Sequence, residues 1–353
     1  MKNGKLIVSL VVLVLLAGFG IWAYYHVNFS FANFRSQLEQ VDWTKIAIGL
    51  GCIYVAYVVR AVRWALLLRP NKRVPLLSLL GVQVIGFTSV ALVGRVADLT
   101  RPYLTAKKTG LTLSTQIAVY IVERLFDAGS MALIFSSVIL LAPAGALPHP
   151  EVFKKVGLWG LAGTVAGALF LVLVRLAGGV VAGFFEKTFG VLSKALGQAM
   201  GEKIRSFRTG LDTLRTPGDL VVTLALSLGM WGLIALAYME TALAFVASPQ
   251  LASMTLAKGL VLMIVSGGAS VFQLPVLGWF TQIGVVATAL SSFFGVAPEP
   301  ATACAAMLLI VTFLAVVPVG LIWAQFEHVS LRKVAVESEQ AGEVAIAAEP
   351  EKV

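Results

Sequence analysis

Long uninterrupted apolar runs dominate this chain, and their length limits the folds open to it. A hydrocarbon layer ~30 Å thick takes about 20 helical residues to cross. Eight segments have that order of length: Leu6–Tyr25, Ile46–Leu68, Pro75–Val93, Ser114–Leu141, Val156–Leu176, Leu220–Val246, Leu256–Leu274 and Ala301–Gln325. A further run, Ile283–Val296, is too short and too rich in Gly and Ser to span comfortably. Backbone polar groups in lipid must satisfy one another, so runs of this length predict an all-α polytopic membrane protein. Only 13% of residues are charged, where a soluble globule needs about a quarter to keep its surface wet. A soluble enzyme is thereby excluded. Leu6–Tyr25 follows Lys2 and Lys5 as a signal peptide would, but it ends in Tyr24-Tyr25-His26 without a small-x-small cleavage site. It reads as an uncleaved first helix.

The formal net charge of +9 would point a soluble protein toward nucleic acid. Here the Lys and Arg fall in short connections between apolar runs, as the positive-inside rule requires, and no nucleic-acid partner is expected. Lys2 and Lys5 put the N-terminus in the cytoplasm, and Arg69, Lys72 and Arg73 mark a cytoplasmic loop. A full crossing by Pro75–Val93 would leave Arg95, Arg101, Lys107 and Lys108 outside. The conflict disappears if Pro75–Val93 dips in and Leu99–Thr112 returns to the same side, as a re-entrant hairpin. Leu256–Val296 reads as a second broken element, entered from the outside, with Ser266-Gly267-Gly268-Ala269-Ser270 and Pro275 interrupting the helix. Broken backbone at membrane depth is tolerated where protein buries it or water reaches it.

The expected architecture is therefore two inverted halves, each with a re-entrant or broken element, as in many secondary transporters. The plainer alternative is that both breaks are kinks in spanning helices. Residues 1–330 form the transmembrane domain. Within it, 177–218 is a cytoplasmic amphipathic segment whose apolar positions (Phe185, Phe189, Leu192, Leu196, Met200, Ile204, Phe207, Leu211, Leu214) recur every three or four residues, with Lys187, Lys194, Lys203, Arg208 and Arg215 between them. It suits either an anionic leaflet or the ends of the bundle. Residues 331–353, acidic and poor in aromatics, are expected to be a disordered cytoplasmic tail.

Ionisable groups inside apolar segments are costly, so each needs a reason. In Gly94-Arg95-Val96-Ala97-Asp98-Leu99-Thr100-Arg101-Pro102, a helical path sets Asp98 three residues from both Arg95 and Arg101. An arginine with one partner satisfied keeps donors for a phosphate; the alternative is an ion pair at the membrane surface. In Glu123-Arg124-Leu125-Phe126-Asp127 the two acids are i, i+4 and face the same way. They must face the bundle, with the hairpin arginines as partners, either as a structural clamp or lining a headgroup pathway. Arg60 and Arg63, beside Trp64, fit snorkelling to the interface or a headgroup contact. Gln273, Pro275, Gly278, Thr281 and Gln282 supply the uncharged polar and flexible positions of the second broken element. His26, His149 and His328 are scattered, so no metal site is expected; no cofactor-binding or catalytic fingerprint is present, and no enzyme activity is expected.

Taken in order, these clusters resemble the lysylphosphatidylglycerol synthase transmembrane (flippase-like) family. The matching positions are Arg63-Trp64, then Gly94 with Asp98 and Arg101-Pro102, then Glu123-Arg124 with Asp127, over roughly residues 40 to 325. The family's late motif is a Pro-Gly-rich turn leading to a glutamate. Here Leu274-Pro275-Val276-Leu277-Gly278-Trp279-Phe280-Thr281-Gln282 contains no acid. The full synthases also carry a soluble aminoacyl-transferase domain, where this sequence has a short tail. The resemblance implies a flippase-like protein that binds and translocates an anionic, aminoacylated or polyprenyl-linked lipid between leaflets. Headgroup contacts would come from Arg95, Asp98, Arg101, Glu123, Arg124 and Asp127, with Arg60 and Arg63. The alternative is an accessory membrane subunit serving a lipid-modifying or glycosyl-transfer enzyme, without transport of its own. The expected location is the cell (inner) membrane, with both termini cytoplasmic.

Overall fold

A computed structural model describes residues 30–141, 150–191, 193–211, 216–269 and 277–340, except 332, 335 and 339. Leu6–Tyr25 lies outside these residues. The described residues form helices: α1 (Phe31–Glu39), α2 (Trp43–Leu68), α3 (Leu76–Val93), a 3₁₀ turn (Arg95–Leu99), α4 (Thr100–Thr109), α5 (Leu113–Leu141), α6 (Pro150–Gly190), α7 (Lys194–Leu211) and α8 (Pro217–Leu243). After the single turn Pro249–Ala252 come α9 (Leu256–Ala269), α10 (Leu277–Phe294), α11 (Pro298–Leu309) and α12 (Val316–Phe326). Among the described residues, six stretches are long and apolar enough to cross a bilayer: α2, α3, α8, most of α5, Lys154–Val174 in α6, and Pro298–Phe326. The protein is an all-α polytopic membrane protein.

Local chemistry places the breaks. The Asp42 carboxylate caps α2 by accepting from the Thr44 N–H at 2.9 Å. Thr216 and Asp219 form a reciprocal capping box with Pro217 in the first turn of α8. Gly94 closes α3 at φ 90° and Gly110 closes α4 at φ 71°, backbone that favours glycine. Between α11 and α12, Ile310–Leu314 is a π-helical turn. Pro318 has no N–H for the Leu314 carbonyl, which accounts for the loosened ladder just before it.

Five contacts fix the course of the chain. The Asp42 N–H donates to the Ala244 carbonyl (2.9 Å), so α2 begins where α8 ends and the two run antiparallel. Lys72 Nζ, before α3, donates to the carbonyl of Thr109, the last residue of α4 (2.6 Å). The segment α3–α4 therefore folds back on itself. Lys258, near the start of α9, lies 5.9 Å from the ring of Phe294, the last residue of α10, so α9–α10 folds back as well. The Ser30 N–H reaches Glu299 at the start of α11 (3.1 Å), whereas Lys108 pairs with Glu327 past the end of α12. Tracing these contacts, the α3–α4 hairpin opens at the end of the bundle that carries Arg69, Lys72 and Lys108, and α9–α10 opens at the other. The two folded-back elements enter from opposite ends, as the charge pattern suggested.

Three expectations need correction. Gly267 and Gly268 do not break the helix, since α9 runs through both to Ala269. The run Ile283–Val296 belongs to a helix that begins earlier, at Leu277, and has 18 residues, although it stays among the shorter apolar helices, as its sequence suggests. The segment expected to start a disordered tail is helical where described between 331 and 340, with Val334 and Ser338 buried. Glu337 accepts from the Tyr103 hydroxyl at 3.0 Å, and Ser338 meets Thr100 at 3.5 Å. The amphipathic segment forms the end of α6 and then α7, which pack together and pair Arg205 with Glu186. A non-helical residue, Ala177, kinks α6 where that segment begins.

Candidate functional site

Ionisable residues of three helices, α2, α4 and α5, converge inside the bundle. Glu123 and Asp127, one turn apart on α5, are 1% and 4% exposed. With a rise of 1.5 Å per residue they lie about 15–21 Å along α5 from its start. Arg63 of α2 is fully buried and binds both. Its Nη2 donates to Glu123 (2.8 Å), and its Nη1 to Asp127 (2.6 Å) and the Ser227 hydroxyl of α8 (2.7 Å). Arg101 of α4 reaches Glu123 at 3.1 Å and the Gln83 amide oxygen of α3 at 2.9 Å. Trp231 of α8 donates to Asp127 at 3.3 Å. Two carboxylates thus tie together α2, the α3–α4 hairpin, α5 and α8.

Two arginines are held differently. Arg60 is 7% exposed, and its Nη1 stands 3.7 Å from both Glu123 and Asp127, without a hydrogen bond. Arg124 folds back over its own helix, with Nη2 at 3.0 Å from Asp127 and 3.5 Å from Glu123, but off the hydrogen-bonding direction. Arg124 is the most exposed of the four, its side chain 40% accessible. Aromatic rings line the cluster. Phe87 faces Arg60 and Arg101, each at 4.8 Å, and Tyr120 faces Arg101 and Arg124 at 5.1 and 5.2 Å. Trp64 faces Arg101 at 5.3 Å. Guanidinium over a ring face is favourable when desolvated, which holds these cations where water is scarce.

The sequence reading of the Glu123–Asp127 pair holds in its geometry: both face the bundle, and a hairpin arginine pairs with Glu123. Its account of α2 does not. Arg60 and Arg63 do not snorkel, and Trp64, 1% exposed, is no interfacial anchor. Snorkelling needs an open path along the helix surface, and α5 and α8 close it here. Asp98 was expected between Arg95 and Arg101, but Arg101 turns instead to Glu123 and Gln83. Asp98 is half-buried beside the cluster, close enough for its charge to act on Arg124. The side chain of Arg95 lies outside the described set.

In the second broken element, Gln273 and Pro275 lie outside the described residues. Gly278 is buried and Thr281 exposed. Gln282 is buried and donates to the Ser266 hydroxyl at 2.6 Å, joining α10 to α9. These residues do not meet the arginine cluster through any hydrogen bond among the described residues.

Sequence reasoning missed Gln83, Phe87, Ser227, Trp231 and Gly86. A Cβ on Gly86 would overlap the Arg101 stem, so the glycine is what lets that side chain lie against α3. Gln83 did carry a signal, as an amide in the middle of an apolar run, which needs a buried partner.

Fold and site together define a polytopic helical membrane protein with an ion-paired arginine cluster inside its bundle. The family model described as Lysylphosphatidylglycerol synthase TM region matches residues 6–320, and the chain belongs to that family. No curated protein matches it. No solved structure matches it either.

Proposed function

We propose that this protein binds a membrane lipid by its headgroup and moves it between leaflets, without catalysing a covalent step. The observation that carries the reading is the cluster of Arg60, Arg63, Arg101 and Arg124 around Glu123 and Asp127. Ionisable residues inside a membrane bundle are costly, and they commonly mark a pathway for a polar cargo. The family to which the chain belongs associates it with membrane lipids. The two folded-back elements, entered from opposite ends, resemble the inverted arrangement by which transporters alternate access. In this reading the α3–α4 hairpin carries the headgroup contact of one half through Arg101, and α9–α10 forms the opposite gate. The positive-inside rule sets the α3–α4 opening, the start of α7 and both termini at the cytoplasmic face of the cell membrane.

The test is transfer of labelled lipid across vesicles containing the purified protein, with melting temperature measured alongside. Arg101→Gln should lose transfer while the protein still inserts and stays folded. Arg101→Lys should recover transfer only in part, because an ammonium lacks the guanidinium fork. Full transfer by Arg101→Gln removes this residue from the headgroup contact. Lost transfer with an equally lowered melting temperature favours a structural clamp. Absence of transfer by the unaltered protein favours the accessory-subunit reading.

A further inference from the structure

The charges of the cluster do not balance, and the imbalance bears on which lipid fits. Four guanidiniums, from Arg60, Arg63, Arg101 and Arg124, gather on two carboxylates, Glu123 and Asp127. Counting Asp98, which lies close by, still leaves one positive charge in excess. The hydrogen bonding is incomplete in the same sense. Within the cluster, buried Arg60 Nη1, Arg63 Nε, Arg124 Nε and Arg124 Nη2 make no hydrogen bond, against one acid oxygen, Asp127 Oδ2, which lies 3.0 Å from Arg124 Nη2. Buried donors left unpaired are expensive, and buried net charge more so. A ligand that relieves both must be an anion with several acceptor oxygens.

The aromatic residues argue in the same direction. An ammonium headgroup is usually held on open ring faces. Here Phe87, Tyr120 and Trp64 already present ring faces to guanidiniums. An added ammonium would meet arginines before it met a ring, and both carboxylates are already engaged by Arg63.

We infer that the cluster selects the phosphate of a lipid with no compensating ammonium and discriminates against aminoacylated, cationic lipids. This rests on the reading that the cluster contacts headgroups, and it narrows the lipids that reading allows. Arg60 is the residue most free to meet the phosphate, being buried, unbonded and equidistant from the two acids. Arg124, the most exposed of the four, would meet it at the rim.

The test separates binding from transfer. The full-length protein is purified in neutral detergent and titrated with phosphatidylglycerol, phosphatidylcholine or lysylphosphatidylglycerol, and bound lipid is counted by native mass spectrometry. Phosphatidylglycerol should bind at least about tenfold more tightly than either of the other two. Arg60→Gln and Arg124→Gln should each reduce that preference several-fold. Removing the excess charge should also leave the lipid-free melting temperature of Arg60→Met unchanged or raised, whereas a structural clamp would lower it. Equal binding of the three lipids, or preference for the lysyl lipid, overturns the inference even if transfer occurs. Selective binding without transfer upholds it while overturning the transport reading. Inorganic phosphate at millimolar concentration should not displace phosphatidylglycerol; full displacement would mean a free-anion site and overturn the lipid assignment.

Discussion

The two folded-back elements have the same shape and opposite chemistry. The α3–α4 hairpin brings a guanidinium into a charged network shared with α2, α5 and α8. Between α9 and α10 the described side chains share a neutral hydrogen bond, Gln282 to Ser266, beside the Lys258–Phe294 contact. Paired charges in a dry interior hold one arrangement, because losing a partner strands an uncompensated ion. A single amide–hydroxyl bond is worth only about 1 kcal/mol and is easily exchanged for another. In polar contacts, the first element is pinned by buried ion pairs, whereas the second rests on neutral bonding and apolar packing. A pair so unlike suits a device in which one half recognises and the other yields.

That contrast is easiest to break at Arg63. Arg63→Met strands both acids from their closest cation and should cost about 3–5 kcal/mol, read as a large drop in melting temperature in detergent. A drop no larger than that of a surface substitution would mean the charged half is not pinned. A smaller effect is expected from Gly86→Ala, at about 1–3 kcal/mol, as the new methyl displaces the Arg101 stem. If the contact matters, Gly86→Ala should cost little in an Arg101→Ala background, where the stem is gone, and full additivity would argue against it. The smallest effect belongs to the other hairpin. Gln282→Leu removes one neutral bond and should change stability by about 1 kcal/mol or less. A loss matching that of Arg63→Met would abolish the distinction between the two hairpins.

Much of the fold was legible in the sequence, because apolar length and loop charge act through the solvent and not through particular contacts. The positive charges of Arg95, Arg101, Lys107 and Lys108 were enough to demand a hairpin, and Lys72 beside Thr109 is that hairpin. The acids of the site were legible too, since i, i+4 spacing fixes a shared face. What stayed hidden were the partners. Arg63 lies 60 residues from Glu123 in the chain, and nothing in Arg60–Trp64 distinguishes an end that reaches water from one enclosed by α5 and α8. Gly86, Phe87 and Ser227 look like any other residues of an apolar run, and only packing gives them a role. The helix after residue 330 was missed for a related reason. It opens a stretch, 331–353, with five acids and no aromatic residue, which resembles a free tail, and its order comes from docking on α4.

That docked segment has a mechanical consequence. Thr100 and Tyr103, on either side of Arg101 in α4, are bonded to Ser338 and Glu337, and Lys108 at the foot of the same helix is tied to Glu327. The C-terminal segment and α4 are therefore coupled like a lever and its handle. Any swing that lifts Arg101 from Glu123 must either carry residues 331–340 with it or snap those bonds. A spectroscopic probe at the exposed position 340 would then report, from outside the bundle, any movement of Arg101 away from Glu123.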